Sequence, residues 1–103
     1  MPNKNYQAGV RFERLRMKHW ESLGSWCLRS AGSHGAFDIV VIKQYSGEVY
    51  FIQCKIVQTL KEAERMIEKF KAHPPYGKNV KQRYTQMLEV WVKEEKQVVG
   101  GWV

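Results

Sequence analysis

Asp38, Gln53 and Lys55 are polar residues set into two apolar runs, 37–42 and 49–55, that otherwise read as buried strands. A carboxylate, a carbonyl oxygen and an ammonium brought together suit a hard divalent cation beside a positioned proton or charge carrier. The same three could instead form a buried salt bridge between Asp38 and Lys55, with Gln53 hydrogen-bonded nearby. Whether they meet depends on the connection between the runs. Side chains alternate along a strand, so Gln53 and Lys55 share a face, with Cα atoms about 6.7 Å apart, and Cys54 takes the other. A four-residue loop, 44–47, pairs Ile42 or Lys43 with Glu48 or Val49 and sets Asp38 opposite Gln53, with Cβ atoms about 5 Å apart. A two-residue turn at Ser46 and Gly47 sets Asp38 opposite Lys55 instead. Either even length puts all three on one face; an odd length turns Asp38 away unless a bulge repairs the register.

These strands need neighbours to position them. In residues 6–23, Val10, Leu15, Trp20 and Leu23, with Phe12 and Met17 beside them, recur at helical spacing, which predicts an amphipathic helix ended by Gly24. Lys4, Arg11, Arg14, Arg16 and Lys18 make its solvated basic face. Glu13 follows Phe12 at the border of the stripe; it could look inward, or pair on the surface with the arginines around it. Residues 25–29 predict a short strand entering the loop 30–35, whose glycines and serines allow another molecule to approach the backbone and equally suit an ordinary turn. Thr59-Leu60-Lys61-Glu62 matches a capping box, so a second helix starts at about Leu60, buries Ala63, Met66, Ile67 and Phe70, and stops at Pro74-Pro75.

Between 69 and 83 stand Lys69, Lys71, Lys78, Lys81 and Arg83 with no acid and with His73 and Tyr76 interleaved; this stretch could grip phosphates or be a merely soluble loop. Residues 84–93 alternate as a strand, and Val98, Val99, Trp102 and Val103 predict a last one interrupted at Gly100-Gly101. Helix, three strands, helix, two strands is the order of an α/β domain with a mixed central sheet.

At 103 residues the chain predicts a single domain. Its formal charge of +7, from 17 Lys or Arg against 10 Asp or Glu, points to a polyanionic partner, nucleic acid before a membrane. No apolar run approaches the roughly 18 residues of a membrane span and the first residues open no signal peptide, so we expect a soluble, intracellular protein. Cys27 and Cys54 sit in apolar runs and read as reduced core residues, and no zinc-ligand spacing occurs.

Four motifs in order, Gly9-x-x-x-Glu13-Arg14, Leu28-Arg29-Ser30-Ala31-Gly32-Ser33, Phe37-Asp38-Ile39-Val40 and Ile52-Gln53-Cys54-Lys55, resemble the archaeal Holliday junction resolvases of the PD-(D/E)xK nuclease superfamily. The resemblance covers about residues 5–57. It implies a restriction endonuclease-like mixed central β-sheet flanked by helices, in which Glu13 completes the acidic site from the first helix, Asp38 ligates metal and Lys55 is the catalytic lysine. Arg14, Arg29 and Ser33 match positions such enzymes use at the active site or on DNA. Ser30 and His34 from the same loop, with Lys78 and Lys81 from the basic stretch, complete the expected DNA-binding set.

The implied chemistry is phosphodiester hydrolysis with Mg²⁺, for which Mn²⁺ can substitute, held by Glu13, Asp38, the Gln53 amide oxygen and the backbone carbonyl of Cys54. Lys55 would orient the attacking water or stabilise the transition state. Where the family has a carboxylate this chain has Gln53, which offers a dipole for a charge. Glu13 or Glu62 could compensate, or the chain could be a catalytically impaired module that binds branched DNA or another nucleic acid. Without a base-reading motif, recognition would rest on phosphates and DNA shape, and symmetric cutting of a four-way junction would require a homodimer.

Overall fold

The computed structural model describes residues 4–30, 35–78 and 83–103, with side chains from Tyr6 onward. Its elements are α1 (Lys4–Ser22), β1 (Ser25–Arg29), β2 (Ile39–Lys43), β3 (Val49–Val57), α2 (Leu60–Ala72), β4 (Thr85–Val92) and β5 (Gln97–Trp102). One sheet runs in the order β1-β2-β3-β4-β5. All its neighbours are antiparallel except β3 and β4, which are parallel because α2 carries the chain back between them. No helix among the described residues is long and apolar enough to cross a membrane.

Both faces of the sheet are apolar, and each takes a helix. Along β3, Tyr50, Ile52 and Cys54 point toward α1 and pack with Ile39, Val41, Met17 and Trp20. Phe51 and Val57 point toward α2 and pack with Leu88, Val90, Val92, Ala63 and Phe70. Each such side chain removed from water contributes roughly 1.5–3 kcal/mol before the entropy of ordering it.

The hairpin between β2 and β3 has the four-residue loop. Lys43 N–H donates to Glu48 O at 2.9 Å, and Gly47, at φ 71°, donates its own N–H to Lys43 O at 2.9 Å. The register Ile39 to Ile52 follows from it. Thr59 caps α2 as expected, its Oγ1 accepting from Glu62 N–H at 3.2 Å. Glu62 does not complete the box in the usual way: its Oε1 accepts from the Thr59 hydroxyl at 3.1 Å, which keeps this carboxylate at the helix cap.

Met66, expected in the buried stripe of α2, is exposed, and two further expectations change. The inward face of α1 is Phe12, Glu13, Arg16, Met17 and Trp20, while Leu15 and Leu23, expected inward, are exposed. Charged residues replace leucines on this face because the sheet supplies their counterions. Arg16 donates from Nε and Nη2 to the two carboxylate oxygens of Glu89 on β4, both at 2.9 Å, and the Glu89 side chain is only 7% exposed. β5, for its part, is not broken at Gly100-Gly101 but runs through both. A Cβ on Gly100 would collide with the Leu88 carbonyl oxygen, and one on Gly101 would lie 2.8 Å from Ile67 Cγ2, so these glycines let β5 close against β4 and α2.

Candidate active site

β2 begins at Ile39, opposite Ile52, whereas β3 continues to Val57. Past Ile52, β3 therefore has β4 along one edge and no ladder partner among the described residues along the other. The chain entering β2 crosses this open fork. Phe37 belongs to the core under α2, packed against Tyr76, Phe51 and Phe70 with ring centroids at 5.0, 5.8 and 6.5 Å. Ile39, two residues on, belongs to the core under α1. Regular alternation would put both on one side, so the backbone must turn over at Asp38.

The hydrogen bonds show that turn. Asp38 N–H donates to Ile52 O at 2.9 Å on the β3 side while Asp38 O accepts from Ser30 N–H at 2.8 Å on the β1 side, whereas in a regular strand both groups would face β1. This is a bulge in the ladder. The Asp38 carboxylate then accepts the Cys54 N–H through Oδ2 at 2.8 Å. Asp38 thus binds the backbone on both sides of Gln53, and the expected adjacency of the two holds. Simple alternation fails for the carboxylate itself, which points into the fork in the plane of the sheet because it reaches a strand N–H. N–H and C=O of one strand residue leave on the same side, so the Cys54 carbonyl opens into the same fork.

Glu13 enters from the α1 layer. Its side chain is 16% exposed and accepts from Arg29 Nε at 3.0 Å through Oε1, so it pairs across elements and not with the arginines of its own helix. Burial raises its carboxyl above the ordinary 4.5 and the charge of Asp38 adds to this, while the hydrogen bond and charge of Arg29 offset part of the rise. An NMR titration should find the Glu13 midpoint above 4.5, lower in Asp38→Asn and higher still in Arg29→Gln; a midpoint unmoved by either change would show that neither group faces it. A proton held more tightly folded than unfolded gives stability that is full below the ordinary carboxylate range and lost as pH rises through the raised value.

Burial also pushes the Cys54 thiol far up, with the charges of Glu89, Asp38 and Glu13 acting in the same direction and Arg16 against them. It is an inert thiol, and only its backbone serves the fork.

Gln53 and Lys55 face the α2 layer and line a cleft of about 270 Å³ with Lys69 and His73. Lys55 also borders a groove on the α1 side beside Ala8 and Gly9. The lysine therefore stands at the mouth of the fork, accessible from both layers. Of the expected DNA-contacting residues, Arg14 and Lys78 are exposed, Ser30 is half-buried in the ladder to Asp38, and Arg29 is tied to Glu13. Ser33, His34 and Lys81 lie outside the described residues.

Among the described residues no group of three or more His, Cys, Asp or Glu side chains is arranged to hold a metal ion. The donors nearest the fork are the carboxylates of Asp38 and Glu13 and the Cys54 carbonyl, and the Gln53 amide lies on the α2 side of it. These are hard oxygen donors of the kind Mg²⁺ takes, with one charge fewer than three carboxylates would give.

Two partnerships escaped the sequence reading. Glu89 within the apolar run 87–92 was the available signal for the first, because a charge at an inward strand position demands a counterion. Gln86, fully buried, is the second: its Oε1 accepts from Tyr76 N–H at 2.9 Å and its Nε2 donates to Gly77 O at 2.7 Å.

A mixed five-stranded sheet with one parallel pair, flanked by a helix on each face, is a restriction endonuclease-like α/β fold. No protein-family model and no curated protein matches the sequence. The structure is similar to the 1.6 Å structure of Archaeoglobus fulgidus Hjc, a Holliday junction resolvase from an archaeal hyperthermophile, with a TM-score of 0.56 and 17% identity over 92% of this chain and 70% of that one. At that identity the likeness is one of fold.

Proposed function

We propose that the chain is a metal-dependent endodeoxyribonuclease that cuts branched DNA, four-way junctions in preference to linear duplex, as a homodimer. The observation that carries this reading is the Asp38 carboxylate set in an open fork of the sheet, with Glu13 approaching from one layer and Lys55 from the other. The likeness in fold to a Holliday junction resolvase supports it.

Asp38, through the carboxylate oxygen not used on Cys54, with Glu13, the Cys54 carbonyl and the Gln53 amide oxygen, would hold Mg²⁺ or Mn²⁺. The cation would supply charge stabilisation to the phosphoryl oxygens and a water acidic enough to attack. Lys55, exposed at the fork, would supply a second positive charge to the same oxygens. Arg29 keeps Glu13 in place and limits the repulsion between the two carboxylates. Arg14, Ser30 and Lys78, with Ser33, His34 and Lys81, would contact the phosphate backbone, and two copies related by a twofold would present two sites to one junction.

Gln53 favours a competing reading, a module that binds branched DNA or other nucleic acid without cutting it. Labelled four-way junctions and linear duplex incubated with the protein in Mg²⁺, Mn²⁺ or EDTA separate the two. The enzyme gives metal-dependent nicking concentrated on the junction; tight, salt-sensitive binding with no product in any metal leaves only the module. Gln53→Glu restores a negative charge to the donor set and should lower the Mg²⁺ concentration needed for half-maximal cleavage. An unchanged metal requirement in a folded variant would remove Gln53 from the ligands.

A further inference from the structure

The cleft between β3 and α2 continues the fork on the side away from α1, and its lining is chemically one-sided. Lys55 comes from β3, Lys69 from the last turn of α2 and His73 from its C-cap, four residues on and so on the same helix face. Among the described residues no carboxylate lines it, although α2 carries Glu62, Glu64 and Glu68. The floor is apolar, with Phe70 and Leu88 both buried. Lys55, Lys69 and His73 are themselves exposed, and the cleft brings these basic groups together where their attraction for an anion adds. The C-terminal end of α2 points its negative dipole end this way, which repels an anion unless cations sit there; Lys69 and Lys71 do.

The cleft's far wall is held in place by the chain's own hydrogen bonds. Pro74 is buried, Pro75 lines the cleft, and the next two residues are clasped by the buried Gln86 amide through Tyr76 N–H and Gly77 O. His73 N–H is bonded to Lys69 O at 2.9 Å, which fixes the two basic residues relative to each other. A volume of about 270 Å³ is smaller than a typical organic-ligand pocket of ~300–1,000 Å³ and suits one phosphate with its water.

We propose that this cleft, formed by Lys55, Lys69 and His73 beside Gln53, is a second phosphate subsite that binds a non-scissile phosphodiester of the DNA strand whose neighbouring phosphate enters the fork. The inference rests on the nuclease reading for the identity of the ligand and extends it to residues of α2. It gives Lys55 two roles, at the scissile phosphate and at the lip of the next one. Gln86 is a positioning residue that sets the loop wall.

Fluorescence anisotropy with labelled junction and duplex in EDTA, over a salt series, tests this with cleavage switched off. The double variant Lys69→Gln, His73→Asn should bind about tenfold more weakly, and its slope of log affinity against log salt should be shallower by about one unit, as expected for one lost phosphate contact. Lys71→Gln, on the same turn but outside the cleft lining, should lose less affinity than the double variant. Inorganic phosphate added to the free protein should shift the His73 imidazole resonances, and the Lys69→Gln protein should need more phosphate for the same shift. If the wild type binds DNA and the double variant keeps both its affinity and its slope, the subsite is wrong while the nuclease reading stands. If the wild type binds neither DNA, both fall together.

Discussion

Asp38→Ala and Asp38→Asn should both abolish metal-dependent cleavage, by about a thousandfold or more, yet only the alanine variant should lose substantial stability. The carboxylate has two separable tasks. One oxygen accepts the Cys54 N–H at 2.8 Å, satisfying a strand donor that has no ladder partner among the described residues. Asparagine keeps an acceptor oxygen for that N–H; alanine leaves it unmet, at a cost of about 1–3 kcal/mol. The charge, by contrast, is what the proposed metal site would need from Asp38 to hold a cation together with Glu13, and neither replacement has it. Single-turnover nicking of a four-way junction and urea denaturation of the three proteins read the two tasks independently. Equal stability of the two variants would show that the Cys54 bond contributes little, and cleavage by either would remove Asp38 from the site.

The largest loss of stability is expected away from the chemistry, at Arg16 and Glu89. Their side chains are 15% and 7% exposed and joined by two 2.9 Å hydrogen bonds between α1 and β4. Glu89→Leu strands the guanidinium in the α1 layer without a counterion, which should cost about 3 kcal/mol, the low end for a broken buried pair because Arg16 retains some solvent. Against a total stability of about 5–15 kcal/mol for a domain of ordinary stability, that is a large fraction. Adding Arg16→Met to Glu89→Leu should recover most of the loss, since an apolar pair of similar volume no longer pays for desolvating two charges. Thermal and urea unfolding of the single and double variants give the coupling directly; a double variant no more stable than Glu89→Leu would mean that the pair is held by geometry that methionine and leucine cannot fill. Because Glu89 also lies in the electrostatic neighbourhood of Cys54, the double variant should ease the elevation of that thiol.

The sequence by itself determined what depends on near neighbours along the chain. Thr59 before a helical apolar stripe starts α2, Gly24 at φ 89° ends the first helix, and Ser46-Gly47 marks a hairpin turn whose length, two residues or four, the structure then decides in favour of four. Each is a local choice of backbone angle or periodicity, readable from a few consecutive residues. The four short motifs are local too, and the resemblance they carry implied the restriction endonuclease-like fold that the structure shows.

What only the tertiary structure decided involves partners far apart in sequence. Phe37 is drawn under α2 by Phe70 and Tyr76, and that aromatic cluster, not any property of residues 37–39, forces the bulge that swings the Asp38 carboxylate into the fork. Arg16 reads as a surface charge, and Glu13 is left open between surface and interior, until Glu89 and Arg29 are placed opposite them, because burial of a charge is permitted only by a counterion the helix does not contain. Lys55, Lys69 and His73 look like unrelated basic residues along the chain; the parallel crossover through α2 is what gathers them around one cleft.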